Sequence, residues 1–463
     1  MLSFLFDCQR TLEEVNEHWL HEPFIYLDNN GLCLTRWEIL QVALQVNQSE
    51  FNDQQSEIKS AIILFQQRHY FLISLLSIAL SNGRAILPPN LTAHTLQNLI
   101  NQNSNLNVFS DTLPEELQEQ EHINSEKIDQ VIEKVKSNQK RFDQKKLVEI
   151  LSSILDAQIW LYTSGSTGAP KKVIKTWKQM FNAAELAIER FNLMQPCNII
   201  ATVPSQHMFG LETTIFWPLL SKASIWHERP IFPEDILSAV QVNEKNPALL
   251  VSTPLHLNKI QAFDLTWPKG LERILSATAP LSTQLAKKLE QNLQTRVYEV
   301  YGSTETASIA SRETTHTLCW KPYRKISFIK LKNQGYAVSS PGIESIQPLH
   351  DNIELLDDNH HFILGQRDTD LIKIAGKRAS LTELNHHMQT IKGITEGSFF
   401  YSENSKRLTL FIVSQLTRHD ILMVLRQLID PAFLPRPIIF VEKLPRNNVG
   451  KILYSELSAL LKS

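Results

Sequence analysis

The stretch YTSGSTGAPKK, Tyr162–Lys172, sets four hydroxyl side chains (Thr163, Ser164, Ser166, Thr167) and two glycines (Gly165, Gly168) ahead of a proline and a lysine pair. Glycines let a backbone approach phosphate oxygens closely, while amide N–H groups, hydroxyls and the Lys171 ammonium supply donors. A Walker A loop has the form GxxxxGK[ST] and runs into a helix N-terminus. Here Gly168 is followed by Ala-Pro-Lys, and no Ser or Thr follows the lysine pair. The next residues, VIKTW (Val173–Trp177), have strand character. The stretch therefore reads either as a phosphate-holding loop of another design or as a flexible surface loop. The surrounding chain decides between them.

On the N-terminal side, AIILF (Ala61–Phe65), the apolar run YFLISLLSIAL (Tyr70–Leu80) and NGRAILPPN (Asn82–Asn90) read as strand, helix, turn and strand. That is the rhythm of a parallel α/β layer. Pro114–Lys146, rich in Glu, Gln, Lys and Asn, reads as exposed helix or surface connection. Beyond Ile154 the rhythm resumes. NIIATV (Asn198–Val203), ALLVST (Ala248–Thr253) and RILSAT (Arg273–Thr278) alternate with helical segments at Asn182–Phe191 and Gln284–Gln291. The expected fold is α/β: layered, mostly parallel sheets with helices on both faces. After Gly365 comes a turn-rich patch, then two helix-sized segments and the strands FFY, LTLFIV and IIFV. The expected organisation is a large N-terminal domain, 1–365, and a small α+β C-terminal domain, 366–463, joined by a hinge.

Composition narrows the function. At 463 residues, 43% hydrophobic and 20% charged, the chain has the makings of a globular protein of two or three domains. A net charge of −2 gives no field toward nucleic acid or anionic lipid. The four cysteines, Cys8, Cys33, Cys197 and Cys319, form no CxxC pair, which fits free thiols in a reducing cytoplasm. The N-terminus MLSFLFDCQRTLEE lacks the basic start and apolar core of a signal peptide. Tyr70–Leu80 is too short to span a bilayer.

Three further segments decide the reading of the loop: YGSTETASIA (Tyr301–Ala310), GQRDTDLIKIAGKR (Gly365–Arg378) and LPRNNVGKILYSEL (Leu444–Leu457). In this order the set resembles the adenylate-forming superfamily of acyl-CoA synthetases, peptide-synthetase adenylation domains and beetle luciferases. The resemblance runs from about Ser60 to the end of the chain. It implies an acid–thiol ligase that makes an acyl-adenylate from a carboxylic acid and ATP with Mg²⁺. The acyl group then passes to the thiol of CoA or of an acyl carrier protein.

The resemblance also implies roles for particular residues. Thr163, Ser164, Gly165, Ser166, Thr167, Gly168 and Lys171 hold the β- and γ-phosphates; Thr304 contacts the α-phosphate and Glu305 holds magnesium. Ala277, Thr278 and Ala279 line the adenine and Tyr301 stacks on it; Asp351 and Arg367 hold the ribose. His207 stands beside the acyl pocket, whose walls are expected around Phe209, Phe216 and Trp217. Lys451 reaches the reacting oxygens when the small domain closes, and Asp370 is the hinge. Gly210 follows Phe209 where amino-acid-activating relatives carry an Asp, which favours an aryl or fatty acid.

Departures are visible too. Leu349-His350 replaces the usual Thr-Gly before Asp351, Gln366 and Thr369 depart from the hinge pattern, and Tyr454 replaces a frequent Arg. The short interval between Glu305 and Asp351 implies a trimmed third subdomain, with SSPGIESIQP as the remnant of its glycine-rich segment. Two alternatives stand beside the ligase: an enzyme that stops at the adenylate, and an inactive nucleotide-binding regulator. The joint presence of Lys171, Glu305 and Lys451 argues against the regulator.

Overall fold

A computed structural model describes residues 17–51, 59–103, 106–138, 144–163, 171–261, 263, 267, 270–332, 335–356, 361–367, 371–374, 377–389, 391–402, 407–446 and 452–461. The chain divides into two compact units. The first takes in 1–165, 169–327 and 338–347; the second takes in 328–337 and 348–463. The strand Phe362–Arg367 crosses the expected limit at 365/366.

Two sheets build the first unit. One has the order Leu106–Phe109, Ser60–Ile63, Arg84–Leu87, Gln158–Thr163, Lys171–Thr176. Its first four strands are parallel and the last is antiparallel. The opening stretch thus leaves one strand and enters its antiparallel neighbour, with Thr163 opposite Lys171. The helix Arg68–Leu80 that follows Ser60–Ile63 is buried almost throughout, as its unbroken apolar run requires.

Within this unit the other sheet runs in the order Cys319–Pro322, Ala307–Glu313, Arg296–Ser303, Leu271–Ser276, Ala248–Ser252, Cys197–Ala201, Ala223–Trp226, Pro23–Tyr26, Cys33–Thr35. The strands from Arg296–Ser303 to Pro23–Tyr26 are mutually parallel. Antiparallel strands flank them. The central strands Cys197–Ala201 and Ala248–Ser252 are buried at every position, which is why their sequences read as continuous apolar runs.

The helix Trp177–Phe191 is started by Thr176, whose hydroxyl accepts from Gln179 N–H while the Gln179 side chain accepts from Thr176 N–H. It ends at Asn192 in the left-handed region, φ 52°. Trp177 and Phe181 on its buried face pack edge-on against Phe216 at 5.1 and 5.8 Å. A single core draws on both sheets and this helix.

In the second unit, Asp351–Leu355 and Phe362–Arg367 form one hairpin and Leu371–Ile374 and Lys377–Ser380 another. A further sheet has the order Ile394–Ser402, Arg407–Ser414, Ile438–Phe440. Phe399, Leu410 and Ile412 on one face pack with Leu384, Met388, Ile421 and Leu425 of the helices Leu381–Gln389 and Arg418–Leu428. Phe400 and Phe411 on the other face pack with Leu457 of a third helix, Tyr454–Leu460. Sequence reading expected two helices after Gly365. The third is a short one that relies on this packing.

Candidate active site

The turn between Arg296–Ser303 and Ala307–Glu313 carries Thr304 and Glu305, and its shape is tightly set. The pairing slips at Tyr301/Gly302, and a Cβ on Gly302 would lie 2.1 Å from the Ala307 carbonyl oxygen. Ala307 itself has φ +58°, a conformation that costs an L-residue energy. Thr306 Oγ1 accepts from Ser303 N–H at 2.9 Å and donates to Ala307 O at 2.8 Å, closing the turn. Thr304 and Glu305 stand half-buried at its tip.

Lys171 donates from Nζ to Glu305 Oε1 at 2.7 Å. This contact joins the strand leaving the opening loop to the turn of the second sheet. Burial, the largest single influence, pushes the Glu305 carboxyl up. The hydrogen bond and charge of Lys171, with hydrogen bonds from its own backbone N–H and from Ser303, together outweigh it and leave the group below its usual value. Two residues from the same strand engage Glu305, since Lys175 Nζ donates to the Glu305 backbone carbonyl. Burial pushes the Lys175 ammonium down to about 8, with Glu212 and Glu305 opposing. Glu212 lies on a π-helical turn, Glu212–Phe216, inside an otherwise α-helical stretch. Its carboxylate accepts from Ser308 N–H at 3.0 Å and Ser308 Oγ–H at 2.8 Å. Burial pushes it up to about 7, with Ser308 and Lys175 opposing.

Ala277, Thr278 and Ala279 follow the strand Leu271–Ser276; Ala277 is buried and the other two are exposed. Thr278 has φ +76°, a strained value for a β-branched residue. The segment is pinned just beyond it, where Leu281 N–H donates to Glu299 Oε1 at 2.8 Å, and Arg312 holds the other carboxylate oxygen. The Tyr301 ring, half-buried, sits 5.6 Å from that of Trp320. His207 precedes the short helix Met208–Leu211. Its Nε2 is buried with no partner among the described residues. Burial, with the nearby Arg229 charge, pushes the ring down to about 4, so it is neutral at pH 7.

The structure thus brings Lys171, Thr304 and Glu305 together. In the second unit it sets Asp351 opposite Arg367 in hairpin register. Ser164–Gly168, Asp370 and Lys451, and the side chains of Thr163 and Arg367, lie outside the described residues. The expected pocket wall needs correction. Phe216 and Trp217 are fully buried, locked against Trp177, Phe181 and Phe191, and belong to the core. Only Phe209 keeps partial exposure.

Sequence reasoning missed Lys175, Glu212 and Glu299. The signal for Lys175 was available: alternation along KKVIKT places it on the same strand face as Val173. Glu212 is the lone carboxylate in MFGLETTIFW. Among the described residues no group of three or more His, Cys, Asp or Glu could hold a metal ion. No described helix is long and apolar enough to cross a membrane.

The sequence profile of the AMP-binding enzyme family matches residues 58–359. The chain is 34% identical over 161 residues to 4-coumarate–CoA ligase of Rhodobacter capsulatus, 34% of this chain and 40% of that one. It is 24% identical over 359 residues to the 3-hydroxybenzoate–CoA/4-hydroxybenzoate–CoA ligase of Thauera aromatica, 66% of this chain and 67% of that one. The chain therefore spans between 40% and 67% of these relatives' lengths. Among solved structures, ATP-bound MatB from Rhodopseudomonas palustris superposes with a TM-score of 0.78 at 16% identity, covering 100% of this chain and 99% of that one. O-succinylbenzoate coenzyme A synthetase from Bacillus subtilis in complex with AMP also gives 0.78, at 15% identity, covering 98% and 97%. These likenesses show the two-domain fold. The match over residues 58–359, with the loop and turn motifs joined in space, places the chain in the AMP-binding enzyme family, within the adenylate-forming superfamily that its sequence motifs resemble.

Proposed function

We propose that this protein activates a non-amino carboxylic acid, of the aryl class named in its relatives, with ATP and then transfers the acyl group to a phosphopantetheine thiol. The observation that carries this reading is the 2.7 Å contact between Lys171 and Glu305. It unites a cation suited to a phosphate tail with a carboxylate suited to a divalent metal, on two different sheets.

In the first step a carboxylate oxygen attacks the α-phosphorus, the bond to the β-phosphate oxygen breaks, and pyrophosphate leaves with the electron pair. Two anions must meet, so the site has to neutralise charge and hold them in line. Lys171 and the hydroxyls of Thr163, Ser164, Ser166 and Thr167 hold the departing phosphates; Thr304 holds the α-phosphate. Glu305, kept ionised at neutral pH, fits a magnesium ion, which when bound draws charge from the phosphate oxygens. Neutral His207 stands on the acyl side. Ala277, Thr278, Ala279 and Tyr301 receive the adenine, and Asp351 and Arg367 the ribose. In the second step a thiolate attacks the acyl carbonyl and AMP leaves. Lys451 serves the first step and turns away for the second about Asp370.

The protein incubated with ATP, magnesium and a mixed pool of aryl and fatty acids should yield one acyl-adenylate, identified by mass. Adding CoA to one portion and a phosphopantetheinylated carrier protein to another assigns the acceptor. ATP binding with no adenylate from any acid contradicts the ligase and supports a nucleotide-binding regulator.

A further inference from the structure

We infer that Lys175 and Glu212 are positioning residues for adenylation: a buried lysine and a buried carboxylate that fix the turn presenting Thr304 and Glu305 at its tip and at its exit. The inference rests on the function proposed above. Lys175 grips the tip through the Glu305 carbonyl. Glu212 grips the strand that leaves the turn through both the N–H and the hydroxyl of Ser308. Between those points lies Ala307, at φ +58°, whose carbonyl Gly302 approaches closely from the entering strand. A turn so shaped persists only where its surroundings determine it. Here the determinants are side chains that are 3% and 2% exposed.

The strand Lys171–Thr176 supplies both cations. Lys171 and Lys175 lie on one face, four residues apart, so one meets the Glu305 carboxylate and the other its carbonyl. If phosphate draws Lys171 away from Glu305, Lys175 still holds the backbone that aims the carboxylate. Burying a charged side chain costs free energy unless its hydrogen bonds offset it, so neither residue is explained by stability alone. Both side chains bond to the turn and therefore serve its geometry. The π-helical turn at Glu212–Phe216 fits the same role, since such insertions re-aim side chains and gather at functional sites.

The test compares Lys175→Met, Glu212→Gln and the double variant with the wild-type protein. Its readouts are thermal unfolding, MgATP binding by calorimetry, and acid-dependent pyrophosphate exchange across a magnesium titration. The double variant should unfold within a few degrees of the wild type. Its MgATP affinity should fall by ~10-fold and its half-saturating magnesium should rise by a similar factor, with the KM for the acid unchanged. A folded double variant with wild-type MgATP affinity and magnesium dependence overturns the inference. If the double variant does not fold, Glu212→Gln alone decides: it keeps the size but has one acceptor oxygen where Ser308 uses two, so half of the grip is lost, and wild-type magnesium dependence in it is equally contrary. Wild-type protein that binds no MgATP at all overturns the adenylation reading and this inference together, so the two failures are distinguishable.

Discussion

Glu305 shows how a sequence position becomes a site: a carboxylate at a strained turn, met by an ammonium at 2.7 Å. Replacing Glu305 with Gln removes the charge a divalent ion needs while keeping the shape. Glu305→Gln should cost at least ~10-fold in adenylation, about 1.4 kcal/mol of barrier, and Lys171→Ala should weaken ATP use. Both variants should stay folded, because Lys171 is exposed; activity near wild type at limiting magnesium in either would remove that residue from the site. A second prediction concerns acid. His69, His207 and His227 are pushed by burial to about 3, 4 and 4 from the ordinary 6.5. A histidine whose folded value is depressed contributes stability that is present above 6.5 and lost as pH falls toward the folded value. Denaturant midpoints should therefore fall between pH 6.5 and 4, with an upper limit of about 3 kcal/mol from His207 alone. His207→Gln should flatten that slope; an unchanged slope would mean that His207 takes its proton in the folded protein. The motifs marked Lys171 and Glu305 individually as site residues, though not their contact, whereas Glu299 and Glu212 gave only the weak signal of charges inside apolar runs.

At the scale of elements, alternation and apolar runs were enough to place Cys197–Ala201, Ala248–Ser252 and Leu271–Ser276 as buried strands, since each is buried along most of its length. The helix start at Thr176 and Gln179 went unread: VIKTW reads as strand and the expected helix begins at Asn182, whereas the helix begins at Trp177. The pocket wall was misread for a physical reason. Aromatic residues at helical spacing look alike whether they face a cavity or other rings, and Phe216 and Trp217 face rings. Backbone shape is likewise hidden. Nothing local in SATAP announces φ +76° at Thr278, three residues before the Leu281 N–H that Glu299 holds. Gly302 is the element-level test. A methyl there meets the Ala307 carbonyl, so Gly302→Ala must shift the turn. We expect a loss of about 1–3 kcal/mol in unfolding free energy and up to ~10²-fold in adenylation, since small displacements of reacting groups carry that penalty. A variant with wild-type stability and rate would show the turn to be pliable.

At the scale of the whole molecule, the two compact units hold different parts of the chemistry that the resemblance implies. Lys171, Thr304 and Glu305 belong to the first, and Asp351, Arg367, Asp370 and Lys451 to the second. If the two steps use the second unit differently, separate lesions should separate them. Lys451→Ala should lose adenylate formation yet still transfer acyl groups from supplied acyl-adenylate to a thiol. Asp370→Pro should form adenylate and fail at transfer. Loss of the same half-reaction in both variants would contradict alternation. The central claim, that this chain joins a carboxylic acid to AMP, is tested most directly by acid-dependent exchange of labelled pyrophosphate into ATP. The account predicts exchange that requires an acid from an aryl or fatty panel, requires magnesium, and falls by at least ~10-fold in Glu305→Gln. ATP binding without exchange for any acid in the panel would contradict it.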